Sequence, residues 1–250
     1  MDLRTHTRPD RTTLAYRVTG RGPAVVLLHG FTQWSEMWIS NGVAAALSAE
    51  RTVYLPDRRG HGMSDRPKGP ERYGHQMVED VIALLDAEGI DSADLVGFSQ
   101  GAEIALAASV EWPERVSSLL LIGSGWSGDA LDEARLLYDA ILEWVPDAIA
   151  KRRTWLTPDP DPAVFEAIAA SILEIIDIPR SRIEALSVPA AGIVGSEDEE
   201  RANLERLVGL LPGYTLSIQP GLGHGDSWSD PSLPDRVRTF LGLSPLTRAG

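Results

Sequence analysis

Short apolar runs, rich in β-branched residues and bounded by Gly and Pro, recur along the chain. The run Ala24-Val25-Val26-Leu27-Leu28, within 23–29, does not alternate with polar positions. A strand apolar on both pleat faces is one covered by helices on both sides of a sheet. Similar runs predict strands at 12–16, 52–55, 93–98, 116–122, 190–194 and 214–218. Helical patterns follow at 76–88, 100–111, 200–211 and 233–241. Strand followed by helix, repeated, predicts an α/β protein with a mostly parallel sheet and helices on both faces.

One segment breaks the rhythm. From 126 to 186 only helical periodicity is visible, in Leu136-Leu137, Ile141-Leu142 and Trp144-Val145, with a break at Pro158-Asp159-Pro160-Asp161-Pro162. The reading is a core of 1–125 and 187–250 with a helical insertion at 126–186. Lying between two strands, the insertion is expected over the carboxyl edge of the sheet, where α/β sites form.

With 36 Asp and Glu against 23 Lys and Arg, the formal charge is −13. Such a surface repels phosphate backbones and anionic headgroups, so nucleic-acid and membrane partners are not expected. There is no cysteine, which removes disulfides, thiolate metal sites and a cysteine nucleophile. Met1-Asp2-Leu3-Arg4-Thr5-His6 lacks the apolar core of a signal peptide, and no apolar run approaches about 18 residues. The expectation is a soluble, cytoplasmic protein.

The chemistry concentrates in Gly97-Phe98-Ser99-Gln100-Gly101, which follows the apolar run Ala93-Asp94-Leu95-Val96 and opens an Ala-rich helical pattern. G-x-S-x-G is short enough to arise by chance; the strand before it and the helix after it single it out as a nucleophile elbow. Small residues are needed on either side because the chain nearly touches itself, and the helix N-terminus favours developing negative charge. A serine hydroxyl needs a base to take its proton. Of the five histidines, only His224 lies beyond every plausible acid, in the order Ser, acid, His along the chain. The loop Gly195-Ser196-Glu197-Asp198-Glu199-Glu200 supplies the acid, with Asp198 favoured by its spacing from Gly195 and Glu197 as the alternative. Glu199 and Glu200 are expected to face water at the start of the next helix. The oxyanion hole is assigned to the backbone N–H groups of Gln100 and of Phe31, in His29-Gly30-Phe31-Thr32. His29 is read as bracing that loop.

These motifs, with Leu27-Leu28-His29-Gly30-Phe31, Pro56-Asp57-Arg58-Arg59-Gly60-His61-Gly62-Met63-Ser64 and Gly223-His224, make the chain resemble the α/β-hydrolase family over nearly its whole length. The resemblance implies that 126–186 is a helical cap and that 57–64 is a structural loop near the sheet edge. Relatives that open epoxides or haloalkanes carry aspartate where Ser99 stands, so an alkyl-enzyme route is not expected. The chain departs from many relatives at Ala102 and at Phe31-Thr32, where they have glycines. The second departure narrows the space beside the oxyanion hole and implies a modest acyl group. Arg59 to Ser64, followed by Arg66-Pro67-Lys68-Gly69-Pro70, looks most like enol-lactonases.

The expected function is hydrolysis of an ester or lactone of a small, fairly apolar molecule through an acyl-enzyme, with no metal and no cofactor. Trp34, Trp126, Trp144 and Trp155 are the candidate pocket aromatics. A C–C bond hydrolase or perhydrolase of the same fold, and a catalytically silent binding protein, stay open as alternatives.

Overall fold

The computed structural model describes residues 1–246. Eight strands form one sheet: β1 (Asp2–Thr7), β2 (Thr13–Gly20), β3 (Ala24–Leu28), β4 (Thr52–Asp57), β5 (Ala93–Phe98), β6 (Val116–Ile122), β7 (Ala190–Gly195) and β8 (Thr215–Gln219). Their spatial order is β1-β2-β4-β3-β5-β6-β7-β8. The β1-β2 and β2-β4 pairs are antiparallel and all others parallel, so the sheet is mostly parallel as the pattern predicts.

The unbroken apolar runs are explained by two cores, one per sheet face. Val25 and Leu27 of β3 join Leu55, Val96, Leu120 and Ile122 on one face, against α1 (Glu36–Ser40), α2 (Val43–Leu47) and the C-terminal helix at 233–240. Val26 and Leu28 join Leu95, Leu119 and Leu121 on the other, against α3 (His75–Glu88) and α4 (Gln100–Glu111). Period-two alternation sends successive residues to opposite cores, so every position must be apolar.

The segment between β6 and β7 is helical: α5 (Leu131–Ala150), α6 (Pro162–Ala170), α7 (Leu173–Ile176) and α8 (Arg180–Glu184). The Pro-rich break ends in a capped start, with Asp161 accepting the Ala163 N–H at 3.1 Å and Pro162 at the first helical position. The apolar residues of these helices merge with the α3/α4 core instead of forming their own. Among the described residues three helices follow: α9 (Arg201–Glu205), α10 (His224–Ser227) and α11 (Leu233–Phe240). The helix expected over 200–211 thus stops at Glu205 and continues as turns, through Gly209 at φ +83°. Among the described residues no helix is long and apolar enough to cross a membrane.

Candidate active site

Ser99 stands between β5 and α4 with φ 53° and ψ −127°, a strained conformation for a residue with a side chain. The crowding is severe: a Cβ on Gly97 would lie 2.2 Å from the Gly101 carbonyl oxygen, and one on Gly101 would lie 2.3 Å from that of Leu28. Only glycine fits at either place. The turn is held by the Ser99 N–H donating to the Ile122 carbonyl at 2.8 Å.

Three loops at the carboxyl ends of β5, β7 and β8 bring Ser99, Asp198 and His224 into a chain of hydrogen bonds. Ser99 Oγ lies 3.0 Å from His224 Nε2, and His224 Nδ1 lies 3.0 and 3.1 Å from the two Asp198 oxygens. In the neutral ring the carboxylate fixes the proton on Nδ1 and leaves Nε2 to accept from the serine hydroxyl. The Asp198 side chain is fully buried, and its Oδ1 also accepts the Glu200 N–H at 2.9 Å. Phe98 packs on the imidazole at 5.1 Å between ring centres. Burial pushes the His224 pKa down, but the Asp198 hydrogen bond and the charges of Glu200, Asp198 and Glu199 outweigh it and lift the group to about 9. His224 opens the short helix α10 instead of lying in a free loop.

Among the neighbouring acids, Glu197 and Glu199 are exposed. Glu200 does not face water as expected. It is 8% exposed, with Oε1 3.7 Å from His224 Nε2, because α9 starts one residue later and leaves Glu200 in the turn before the helix, facing His224.

The backbone N–H groups of Phe31 and Gln100 flank the same region, and among the described residues neither donates to another protein group. The peptide that carries the Phe31 N–H is gripped at its other end. The Gly30 carbonyl accepts from Arg58 Nη2 at 2.8 Å and from His29 Nδ1 at 2.9 Å, while His29 Nε2 accepts the Arg58 N–H at 3.1 Å. Arg58 Nη1 also donates to the Gln100 side chain at 2.5 Å. One buried guanidinium therefore ties the loop after β3 to the first residue of α4. Burial lowers the Arg58 pKa to about 10, so it keeps its charge at neutral pH, whereas buried His29 and His61 are held well below the usual range and stay neutral. The 57–64 loop, expected to be structural at the sheet edge, leaves an interior strand and reaches the site through Arg58.

A cleft of about 460 Å³ opens over Ser99 and His224, walled by Phe31, Ile141, Trp144, Trp155 and Trp228. Trp144 and Trp155 meet edge to face at 5.6 Å. Trp34 and Trp126 are not on this wall. Trp34 lies under the Arg17 guanidinium at 5.1 Å, and Trp126 is buried, with its indole N–H donated to the Ile178 carbonyl at 2.8 Å. Among the described residues no three His, Cys, Asp or Glu side chains are grouped to hold a metal ion.

Residues 23–162, more than half of the chain, match the family model described as alpha/beta hydrolase fold. The chain belongs to the alpha/beta hydrolase fold family. It is 34% identical over 139 residues to a 2-hydroxymuconate semialdehyde hydrolase of a Pseudomonas strain, a match covering 54% of this chain and 47% of that protein. It spans about a third to a half of the length of the curated relatives it matches. Among solved structures it is similar to a hydrolase from Pseudomonas aeruginosa, at 25% identity and TM-score 0.79 over 97% of this chain and 99% of that one. It is also similar to the enol-lactonase of Burkholderia xenovorans, at 25% identity and TM-score 0.73 over 92% and 97%.

This member of the alpha/beta hydrolase fold family carries a buried polar cluster that sequence reading did not single out. Glu103, 3% exposed on α4, accepts from Tyr138 of α5 at 2.6 Å and from Ser124, just after β6, at 3.1 Å. The signal was a lone carboxylate in the apolar stretch Ala102-Glu103-Ile104-Ala105-Leu106-Ala107. Because the hydrogen bond joins α5 to the elbow helix, Tyr138→Phe is expected to cost about 1–3 kcal/mol by leaving a buried carboxyl short of a partner. A thermal melt checks this; an unchanged midpoint would mean that Ser124 alone satisfies Glu103.

Proposed function

We propose that this protein is a serine hydrolase that cleaves a carboxylic ester or lactone of a small, fairly apolar molecule through an acyl-enzyme on Ser99. The observation that carries this reading is the unbroken hydrogen-bond chain Ser99 Oγ, His224, Asp198 at the floor of an apolar cleft. His224 Nε2 takes the hydroxyl proton as Oγ bonds to the carbonyl carbon, and the carbonyl electron pair moves onto oxygen. The N–H groups of Phe31 and Gln100 hold that oxyanion, and Asp198 stabilises the imidazolium through Nδ1. Collapse returns the proton from Nε2 to the leaving oxygen. A water, deprotonated by the same nitrogen, then releases the acid and restores Ser99.

Arg58 supports this scheme by fixing the Gly30–Phe31 peptide and the start of α4 together, which preorganises both donors. The Phe31, Ile141, Trp144 and Trp155 walls favour an apolar acyl or ring substituent. The test is hydrolysis of p-nitrophenyl acetate, butyrate and octanoate and of simple lactones. Replacement of Trp144 or Trp155 by alanine is expected to shift preference toward longer acyl chains on the order of tenfold, while Trp126→Ala, at a residue that does not wall the cleft, leaves the profile in place. An unchanged profile in both cleft variants would remove these tryptophans from the pocket.

A second reading, hydrolysis of a C–C bond, is favoured by the 34% identity to 2-hydroxymuconate semialdehyde hydrolase. Product analysis with a vinylogous diketone separates it from ester cleavage.

A further inference from the structure

A buried carboxyl group that the scheme above leaves unused lies against the reacting nitrogen of His224. Asp198 occupies Nδ1, and Glu200 Oε1 sits 3.7 Å from Nε2, the nitrogen that also meets Ser99 Oγ at 3.0 Å. Glu200 is 8% exposed.

We propose that Glu200 is a second positioning residue of the His224 site, placing a carboxyl group at the proton-exchanging nitrogen as Asp198 does at the other, so that the imidazolium is held from both ends. The proposal rests on the reading of His224 as the base for Ser99. In the step concerned, the Oγ–H bond breaks and the proton moves to Nε2 while Oγ bonds to the carbonyl carbon. No bond to Glu200 forms or breaks; where its carboxyl is ionised, that charge balances the cation made 3.7 Å away.

The electrostatics agree with the placement. The groups around His224 are Ser99 from the turn after β5, Asp198, Glu199 and Glu200 from the loop after β7 and Asp226 from its own helix, with the Glu103 carboxyl of α4 close enough to act on it through its charge. The charged groups among them are acids; the buried cation Arg58 faces Glu103. Burial lifts Glu200 to about 8, and the neighbouring Glu103 and Asp198 charges act in the same direction. Near neutral pH the His224 and Glu200 pair therefore retains protons that an exposed pair would release. The sign follows: a carboxylate beside an imidazolium favours the charged ring, so neutral base accumulates only at alkaline pH.

The test is an NMR titration of the His224 ring in the wild type, Glu200→Gln and Glu200→Asp, with the resonance assigned by its loss in His224→Asn. It is paired with the pH profile of kcat/KM for p-nitrophenyl acetate. The wild-type midpoint is expected well above 6.5, the ordinary histidine value. Glu200→Gln is expected to lower it by about one pH unit or more, with Glu200→Asp in between. The acid limb of kcat/KM should move down by the same amount. The rate at pH 7 then rises relative to the plateau while the plateau falls; a purely structural role would lower both together. A wild-type midpoint near 6.5, or one unmoved in Glu200→Gln, would overturn the proposal; if Glu200→Gln does not fold, an unmoved midpoint in Glu200→Asp would overturn it as well. Ring titration does not depend on turnover, so a protein that shifts as expected yet hydrolyses no ester would defeat the functional reading and leave this one standing.

Discussion

Ser99→Ala is expected to lower kcat/KM for p-nitrophenyl butyrate by about 10⁴–10⁶-fold. The substitution removes the oxygen that bonds to the carbonyl carbon and leaves His224 with no hydroxyl to deprotonate. The Phe31 and Gln100 N–H groups and the cleft remain, so a residue of catalysis above the rate in water persists. KM should change little, because one oxygen atom contributes little to holding the substrate. Folding should also survive, since the Ser99 N–H to Ile122 hydrogen bond is a backbone contact and alanine adopts the same strained angles at no greater cost. A rate near that of the wild type, in a variant with an unchanged melting curve, would remove Ser99 as nucleophile.

Asp198→Asn is expected to reduce kcat by about 10⁴-fold, with Glu197→Gln close to the wild type. An asparagine amide facing Nδ1 presents a donor where the ring needs an acceptor, and the imidazole responds by placing its proton on Nε2. That tautomer cannot receive the Ser99 proton. Asp198 is the fully buried acid within 3.1 Å of Nδ1, whereas Glu197 is exposed and its backbone N–H goes to the Leu222 carbonyl. Equal losses in the two variants would contradict this division of roles. Kinetics of both proteins at matched pH, with circular dichroism to confirm folding, decide the matter.

What the sequence makes legible is set by how local the cause is. The apolar runs 24–28 in β3, 95–98 in β5 and 119–122 in β6 are readable because burial on both faces of the sheet leaves those positions no place for a polar side chain. The Ser99 turn is readable because steric crowding dictates Gly97 and Gly101 within five residues. Strand order places the loops bearing Asp198 and His224 beside Ser99, and chain order alone points to both.

The buried charges are another matter. Arg58, Glu103 and Glu200 are each paired or bonded with residues far along the chain, and their residue types read as solvated surface. In the acidic loop, Glu199 and Glu200 are indistinguishable by type and position, and only the start of α9 decides which one turns inward. The tryptophans show the same limit. Trp126 and Trp144 lie in the same helical insertion, yet one fills the core and the other walls the cleft, because the difference depends on how the insertion packs over the elbow helix.

The central claim is that Ser99 is an activated nucleophile. The most direct measurement is incubation of the full chain with a fluorophosphonate probe at pH 9, followed by intact-mass analysis and mapping of the adduct by peptide sequencing. One adduct per chain on the peptide containing Ser99, absent in Ser99→Ala, is the predicted result. A protein that gains no mass, or that carries the adduct on another residue, would contradict the account.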